Sequence, residues 1–569
     1  MPQPSTPDLL RAVSFTWPDG TPVVHNLNTA LPSGLTALVG PNGGGKTTLL
    51  RLIYGELAPT SGTITVRGSM AYMRQHPTTA IAPRAAAVSA TSTTVADALG
   101  IGPVLRAMRA IESGSCDPQN FDTVGDDWDI EARTSAELAA VGLPAIELDR
   151  PLTQVSGGEA TLVRLVGVRL AQADVTLLDE PTNDLDESAR HLLIDYLASW
   201  PAAVIFASHD RTLLEMATTT VELRDGHARV FPGPWADLQA QLATEQDAAK
   251  RALTNAQNGL AQERRRRQAG ETALARRSRQ GRAFGKSGSI PRILANTRKS
   301  AAEANAGRAR AAMAARVDEQ QAHVAEAESR LRPEHVIRVN LSDPHLPSAK
   351  RVVRLSDGRQ TIDICGPRRV ALTGPNGVGK TRLVKSIMCG TADGPMHATA
   401  HTARIGYLPQ AVTDLEFAGS AADYVLTHQS GATTGAALAR LAQYRIRRND
   451  VYRPWRSLSG GERFRVAMAT LLLADPAHEL LVLDEPTNHL DLDTVAQLVA
   501  GLSAFRGALL VVSHDSEFLA ELGIDEWITL TSEGLSVDHP HEPMSSLRNG
   551  IHLHAQNAPE KGVGIGARQ

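Results

Sequence analysis

At 569 residues the chain is too long for one hydrophobic core, so two or three domains are expected. Its 42% hydrophobic and 21% charged residues describe a globular protein, and no apolar run approaches the roughly 18 residues of a bilayer span. Residues Met1 to Leu10 lack a basic patch followed by an apolar stretch, so no secretory signal is expected. Cys116, Cys365 and Cys389 are odd in number and lack CxxC spacing, which argues against a structural zinc and suits a cytoplasmic protein.

The chain repeats itself. Gly40, Pro41, Asn42, Gly43, Gly44, Gly45, Lys46 and Thr47 recur as Gly374, Pro375, Asn376, Gly377, Val378, Gly379, Lys380 and Thr381. Ser156, Gly157, Gly158 and Glu159 recur as Ser459, Gly460, Gly461 and Glu462; the run from Leu178 to Asp186 recurs from Leu483 to Asp491; Ser208, His209 and Asp210 recur as Ser513, His514 and Asp515. Four motifs in one order mark two equivalent halves. Gln75 and Gln410 are offset by 335 but Ser156 and Ser459 by 303, so the first half carries 32 extra residues, expected around Ala80 to Asp129. The boundaries read as a first domain over 1–240, a basic linker over 241–335, a second domain over 336–540 and a polar, disordered tail over 541–569.

In chain order, Leu35 to Val39 is expected to be a buried strand leading through the glycine loop into a helix from Thr48 to Tyr54. Arg369 to Thr373 does the same ahead of a helix from Arg382 to Met388. Strand, glycine loop and helix together form a phosphate-binding loop, because glycines let backbone N–H groups close on phosphates at a helix start. Lys46 and Lys380 are expected to reach the β- and γ-phosphates of a nucleotide, and Thr47 and Thr381 to give a hydroxyl to Mg²⁺. Ser156 to Gly158 and Ser459 to Gly461 precede helices and make a second anion site from exposed N–H groups and the helix dipole. Asp179 with Glu180, and Asp484 with Glu485, end apolar strands. The first acid of each pair suits Mg²⁺, and the second suits orienting and polarising an attacking water. His209 and His514 each follow their glutamate by 29 residues, which favours a γ-phosphate contact.

Between the halves the charge changes character. The whole chain has a net charge of −3, yet Lys250 to Arg332 holds 19 basic and 7 acidic residues. Leu253, Leu260 and Leu274 keep seven-residue spacing with Arg267 at the intervening position, and Val317, Val324 and Leu331 answer them, so an antiparallel helical hairpin is expected. Gly281, Gly285, Gly288 and Pro291 should break the helices at its tip. The stretch 264–316 concentrates 15 basic against 2 acidic residues, including Arg264, Arg265, Arg266, Arg267, Arg276, Arg277, Arg279, Arg282 and Lys286, with Phe284 as an aromatic at the tip. Such density suits RNA phosphate contacts.

These motifs together resemble the ABC ATPase superfamily. Two fused cassettes, the Asp-Glu-Pro-Thr-Asn-x-Leu-Asp form in both halves and a charged helical linker further resemble its ABC-F subfamily, in particular the antibiotic-resistance proteins of actinomycetes that protect macrolide producers. The resemblance implies an α/β fold of two tandem ABC-type P-loop domains joined by a basic helical hairpin, binding ATP and Mg²⁺. It implies that Gln75 and Gln410 are Q-loop residues near the metal, that Trp17 stacks on adenine, and that Thr48 and Arg382 continue the two nucleotide loops. Two ATP molecules would be sandwiched head to tail, Lys46 sharing one with Ser459 to Gly461 and Lys380 the other with Ser156 to Gly158. No aromatic equivalent to Trp17 lies near Val339 to Val353, so the sites are expected to be unequal. The implied partner is the ribosome, through its RNA and peptidyl-tRNA. The alternatives are the ATPase subunit of an antibiotic exporter, recruited to a separate membrane permease, and a housekeeping translation factor.

Overall fold

The computed structural model describes residues 8–31, 34–75, 94–183, 185–286, 292–332, 341–390, 396–410, 417–429, 433–444, 446, 450–488 and 490–538. The chain divides into two compact units: one holds both halves, and the other spans Phe231–His335.

Each half is built on a six-stranded sheet. In the first the spatial order is Met70–Met73, Val175–Asp179, Ala203–Ala207, Leu35–Val39, Thr219–Arg224 and His227–Pro232. In the second it is Ile405–Leu408, Leu480–Asp484, Ala508–Val512, Arg369–Thr373, Glu526–Thr531 and Gly534–Asp538. The first five strands of each order run parallel. The central strands are β-branched and leucine-rich because helices cover one face and the loop helix with a three-stranded sheet covers the other, so residues pointing either way are buried. A three-stranded antiparallel sheet flanks each one: Pro22–Leu31, Asp8–Thr16 and Ser61–Thr65 in the first half, and Thr361–Cys365, Arg351–Ser356 and His397–Ala400 in the second.

The register brings the motif-bearing strand ends together. Leu38 and Asp179 both pair with Ala207, and Leu372 and Asp484 both pair with Val512. Each glycine loop, acid pair and histidine therefore leaves the sheet at its carboxyl edge, where parallel sheets bind ligands.

The length difference between the halves lies mostly in one place. Capping boxes at Thr94 with Asp97 and at Ser420 with Asp423 start matching helices, Val95–Ala98 and Ala421–His428. From Thr94 to the Ile130–Ala140 helix is 36 positions; from Ser420 to the matching Thr434–Gln443 helix is 14. The added chain forms the Gly102–Glu112 and Pro118–Val124 helices, within the expected span. Residues 76–93 lie outside the described residues, as does the tail over 541–569.

The Phe231–His335 unit contains two long helices, Trp235–Lys286 and Arg292–Ser329. Gln246 and Arg332 exchange two hydrogen bonds, Nε2 to O at 2.9 Å and N to Oε1 at 3.0 Å, which ties the hairpin's open end. Leu253, Leu260, Leu274 and Val324 are half-buried, and Val317 is buried. Two expectations need correction. Arg267 is not in the seam: it is exposed and pairs with Glu271 at 2.9 Å, while Gly270 comes under Met313 so closely that a Cβ there would lie 2.5 Å from its sulfur. The missing side chain at Gly270 lets the helices approach where a guanidinium would push them apart. Gly281 and Gly285 do not end the first helix, which continues to Lys286, because an isolated glycine in a helix costs only about 1 kcal/mol and neighbouring turns absorb it. Gly288 and Pro291 lie outside the described residues. Arg264, Arg265, Arg266, Arg276, Arg277 and Arg279 are exposed along the first helix; Arg282, Phe284 and Lys286 share that helix, with side chains outside the described set.

Candidate ATP sites between the two halves

The glycine loops have the geometry their sequence requires. Gly40 and Gly374 take φ of 154° and 132°, and a Cβ would lie 2.2 Å from the Leu223 carbonyl oxygen and 2.0 Å from that of Leu530. Only glycine lets these loops pass so close to the neighbouring strand. The helices that follow begin at the lysines, Lys46–Tyr54 and Lys380–Cys389, two residues earlier than the periodicity suggested, because Gly45 and Gly379 cap them in the left-handed conformation. Both lysines are buried, and their ammonium groups donate to their own loops. Lys46 Nζ is 2.8 Å from Gly40 O, and Lys380 Nζ is 2.6 Å from Gly374 O. Burial lowers the pKa of each, while Glu180 and Glu485 respectively oppose the shift.

Thr47 Oγ1 donates to Asp179 at 3.2 Å, and Thr381 Oγ1 to Asp484 at 3.3 Å. A hydroxyl and a buried carboxylate beside a phosphate loop form the oxygen donor set that Mg²⁺ takes. Asp484 is buried, with the Tyr407 hydroxyl acting on its carboxylate, and its Oδ1 accepts from Thr381. The residues present fit that ion. Gln75 is half-buried just past the Met70–Met73 strand, and Gln410 is exposed at the cavity described below.

Glu180 and Glu485 share a conformation that sequence reading did not reveal. Their φ values are 51° and 46°, unusual for a residue with a side chain, and their N–H groups donate to Ala207 O and Val512 O, each at 2.8 Å. Burial raises both carboxyl pKa values, that of Glu485 to about 7. His209 Nε2 lies 3.3 Å from Glu180, and His514 Nε2 lies 3.4 Å from Glu485. Burial lowers both imidazoles, His514 to about 4, so they are neutral at physiological pH. His514 Nε2 also lies 2.8 Å from Lys380 Nζ.

Ser156 and Ser459 are helix N-caps. Each hydroxyl accepts from the backbone N–H three residues on, and the Glu159 or Glu462 carboxylate reaches back to the serine N–H at 2.9 and 2.8 Å. The glycine pairs are the first turn of these helices rather than their approach, so their N–H groups belong to the positive helix end.

The halves meet head to tail. A cavity of about 760 Å³ is lined by Ser156, Gly157 and Gly158 from the first half and by Asn376, Lys380 and Glu485 from the second. On the other side, the Asn42 backbone N–H donates 2.7 Å to Asp491 Oδ2; its mirror, Asn376 to Asp186 Oδ2, measures 3.5 Å. The expected pairing of Lys380 with Ser156 to Gly158 is thus present as a shared cavity. Trp17 stands apart from that cavity, at the turn before the Pro22–Leu31 strand, edge-on to Phe15 at 5.0 Å. Its counterpart is found later than Val339 to Val353. Asp19 and Asp357 make the same turn, accepting from Thr21 N at 2.9 Å and Arg359 N at 2.8 Å, which aligns Trp17 with the buried Leu355. The second half has no aromatic there either. Thr48 is half-buried and Arg382 exposed on the two loop helices.

Sequence reading gave no role to Asp186, Asp491, Arg190 or Tyr72, whose hydroxyl donates to Asp179 Oδ2 at 3.3 Å. The first two close the repeated Leu-Asp ending, and Tyr72 and Tyr407 precede each glutamine by three residues, so repetition marked them. Arg190 breaks the repeat, its counterpart being Val495.

The chain matches the ABC transporter family over residues 24–183 and 359–488. It is 30% identical to the tylosin resistance ATP-binding protein of Streptomyces fradiae, covering 90% of this chain and 95% of that one. It is 28% identical to a ribosome protection protein of Bacillus subtilis, covering 90% and 84%, and 28% identical to the energy-dependent translational throttle protein of Mycobacterium tuberculosis, covering 86% and 85%. Among solved structures, an archaeal ribosome recycling factor in complex with a ribosomal stalk protein shares the fold, with TM-score 0.52 and 16% identity over 95% of this chain and 92% of that one. Among the described residues no helix is long and apolar enough to cross a membrane. The phosphate loops, acid pairs and shared cavity agree with these matches: the chain belongs to the ABC family of ATPases, in its F subfamily.

Proposed function

We propose that this protein binds the ribosome in its ATP-bound, closed form and confers resistance to a macrolide-type antibiotic by promoting release of the drug, hydrolysis then releasing the protein. The observation that carries this reading is the 30% identity, over 90% of the chain, to a tylosin resistance protein. The exposed arginines of the hairpin support an RNA partner, since they gather positive charge along one long helix.

The chemistry follows from the residues. Lys46 and Lys380 stand ready at the loops to receive β- and γ-phosphates, and the serine-capped helix starts supply N–H groups from the opposite half. Thr47 with Asp179 and Thr381 with Asp484 would hold Mg²⁺, with Gln75 and Gln410 approaching it, and the ion would supply charge neutralisation on the phosphates. Glu180 and Glu485 orient the attacking water, each carboxylate aimed by its fixed left-handed backbone. His209 and His514, being neutral, offer a hydrogen bond toward the γ-phosphate. Trp17 stacks on adenine in the first site, leaving the second to bind the base by weaker contacts.

The test combines Glu180→Gln with Glu485→Gln. Hydrolysis should fall about 100-fold or more, and the protein should co-sediment with 70S particles in ATP. Failure to co-sediment overturns the ribosomal reading. A drug-inhibited translation assay with wild-type protein and ATP reads the protective step, and lowered drug accumulation in expressing cells would point to export. A housekeeping translation factor is a second reading, supported by the 28% identity to the throttle protein; it predicts ribosome binding without rescue from the drug.

A further inference from the structure

The two composite sites differ at a residue outside both glycine loops. Arg190 stands on the Glu187–Ala198 helix of the first half, four residues after the N-cap Asp186. Its Nη1 donates 3.3 Å to the backbone carbonyl of His514 in the second half, and its Nε lies 2.9 Å from Asp210 Oδ2 of its own half, an ion-pair contact. The equivalent residue, four after Asp491, is Val495, which is buried and has no polar group to offer the first site. A second charged contact joins the halves at the same edge. Arg211 lies 3.7 Å from Glu517 and pairs with Glu521, while Ser516 and Met216 occupy the positions equivalent to Arg211 and Glu521.

We propose that Arg190 is a positioning residue for the second composite site, coupling hydrolysis there to closure of the two halves by pinning the His514 backbone from across the interface. The guanidinium fork suits this task. It keeps one edge against Asp210 and presents another to the carbonyl, which a single ammonium cannot do at both distances. The residue it holds is the one whose imidazole lies 2.8 Å from Lys380 and 3.4 Å from Glu485. When the halves part, the bond to His514 O breaks and that imidazole loses a restraint. Among the described residues, Val495 gives the first site no such contact. Arg190 lines the same cavity as Lys380 and Glu485, and its charge also acts on Glu485 and His514; Arg190→Lys keeps that charge while removing the fork. This inference rests on the assignment of Glu180 and Glu485 above.

The experiment measures single-turnover ATP hydrolysis in two backgrounds. Glu180→Gln leaves the second site as reporter, and Glu485→Gln leaves the first. Arg190→Val makes the two halves alike at this position. It should lower the second-site rate constant about tenfold, with the ATP concentration for half-maximal rate changed less than about threefold, and it should affect the second site at least about fivefold more than the first. Arg190→Lys keeps a cation beside Asp210 and with it the melting temperature, and should still lose most of the second-site rate. Equal losses in both backgrounds would mean that Arg190 only neutralises the acids at the interface, and full activity of Arg190→Lys or Arg190→Val at the second site would also overturn the proposal. If the Glu180→Gln, Glu485→Gln double variant hydrolyses ATP at the wild-type rate, the glutamate assignment is at fault instead.

Discussion

Asp491 carries two hydrogen bonds that substitution can separate. Its Oδ1 accepts from Thr494 N at 2.8 Å, capping the Leu492–Ser503 helix, and its Oδ2 accepts from Asn42 N at 2.7 Å across the interface. Asparagine caps a helix as well as aspartate does, so Asp491→Asn retains the first bond. It presents either a neutral oxygen or an NH₂ group to the Asn42 N–H, losing a part-buried charge-assisted bond of about 2 kcal/mol. Asp491→Ala loses both, adding about 1 kcal/mol for the cap. The expected signature is therefore a split. Both variants raise the ATP concentration for half-maximal hydrolysis by up to about 30-fold, because nucleotide-driven closure is weakened by about 2 kcal/mol. Only the alanine variant lowers the melting temperature of the isolated protein appreciably. The mirror substitution Asp186→Asn, acting on a 3.5 Å contact, should raise that concentration by less than about fivefold. Equal melting losses for Asp491→Asn and Asp491→Ala, or an unchanged ATP requirement in both, would refute this division of labour.

Two further outcomes follow from the hairpin and from the second half. Replacing Arg264, Arg265, Arg266 and Arg267 with glutamine should reduce the slope of log affinity for 70S particles against log salt by up to about 3, with basal ATPase retained; sedimentation across a salt series reads it. Glu479 is buried, which alone would raise its pKa, but hydrogen bonds from Lys350 at 2.5 Å, from Thr402 and from Arg404 outweigh burial and hold it at about 2. A folded pKa below the unfolded one gives stability that is fully present above about pH 4.5 and is lost as pH falls toward 2. Glu479→Gln should flatten that acid limb of the melting curve and cost about 2 kcal/mol at neutral pH, because three donors lose their charged acceptor.

What could be read before the structure was what repeats. The strand, loop and helix around Lys46 and Lys380 follow from apolar runs and glycine spacing, and the surplus in the first half follows from offsets alone. The pairing of Lys380 with Ser156 was available only through resemblance, since nothing local in either segment specifies a partner some 220 positions away. The left-handed backbone of Glu180 and Glu485 was invisible because glutamate carries no sign of it; the conformation is imposed by the hydrogen bond to the adjacent strand. Arg267 illustrates the opposite error. Heptad counting placed it in the seam, but a charged side chain finds water and an i+4 glutamate more readily than an apolar groove, and Gly270 took the crowded position. Arg190 escaped notice because repetition was the signal and it departs from the repeat.

The bond between Asn42 and Asp491 joins residues 449 positions apart, and the shared cavity needs Ser156 together with Glu485 and His514. At roughly 5 to 20 residues per second of synthesis, the first phosphate loop waits about 20 to 90 seconds before the chain that completes its site has been made. Neither site is complete on a nascent chain that ends before Asp491. A truncated product that stops short of Asp491 lacks the Asn42 contact and, with it, a complete first site.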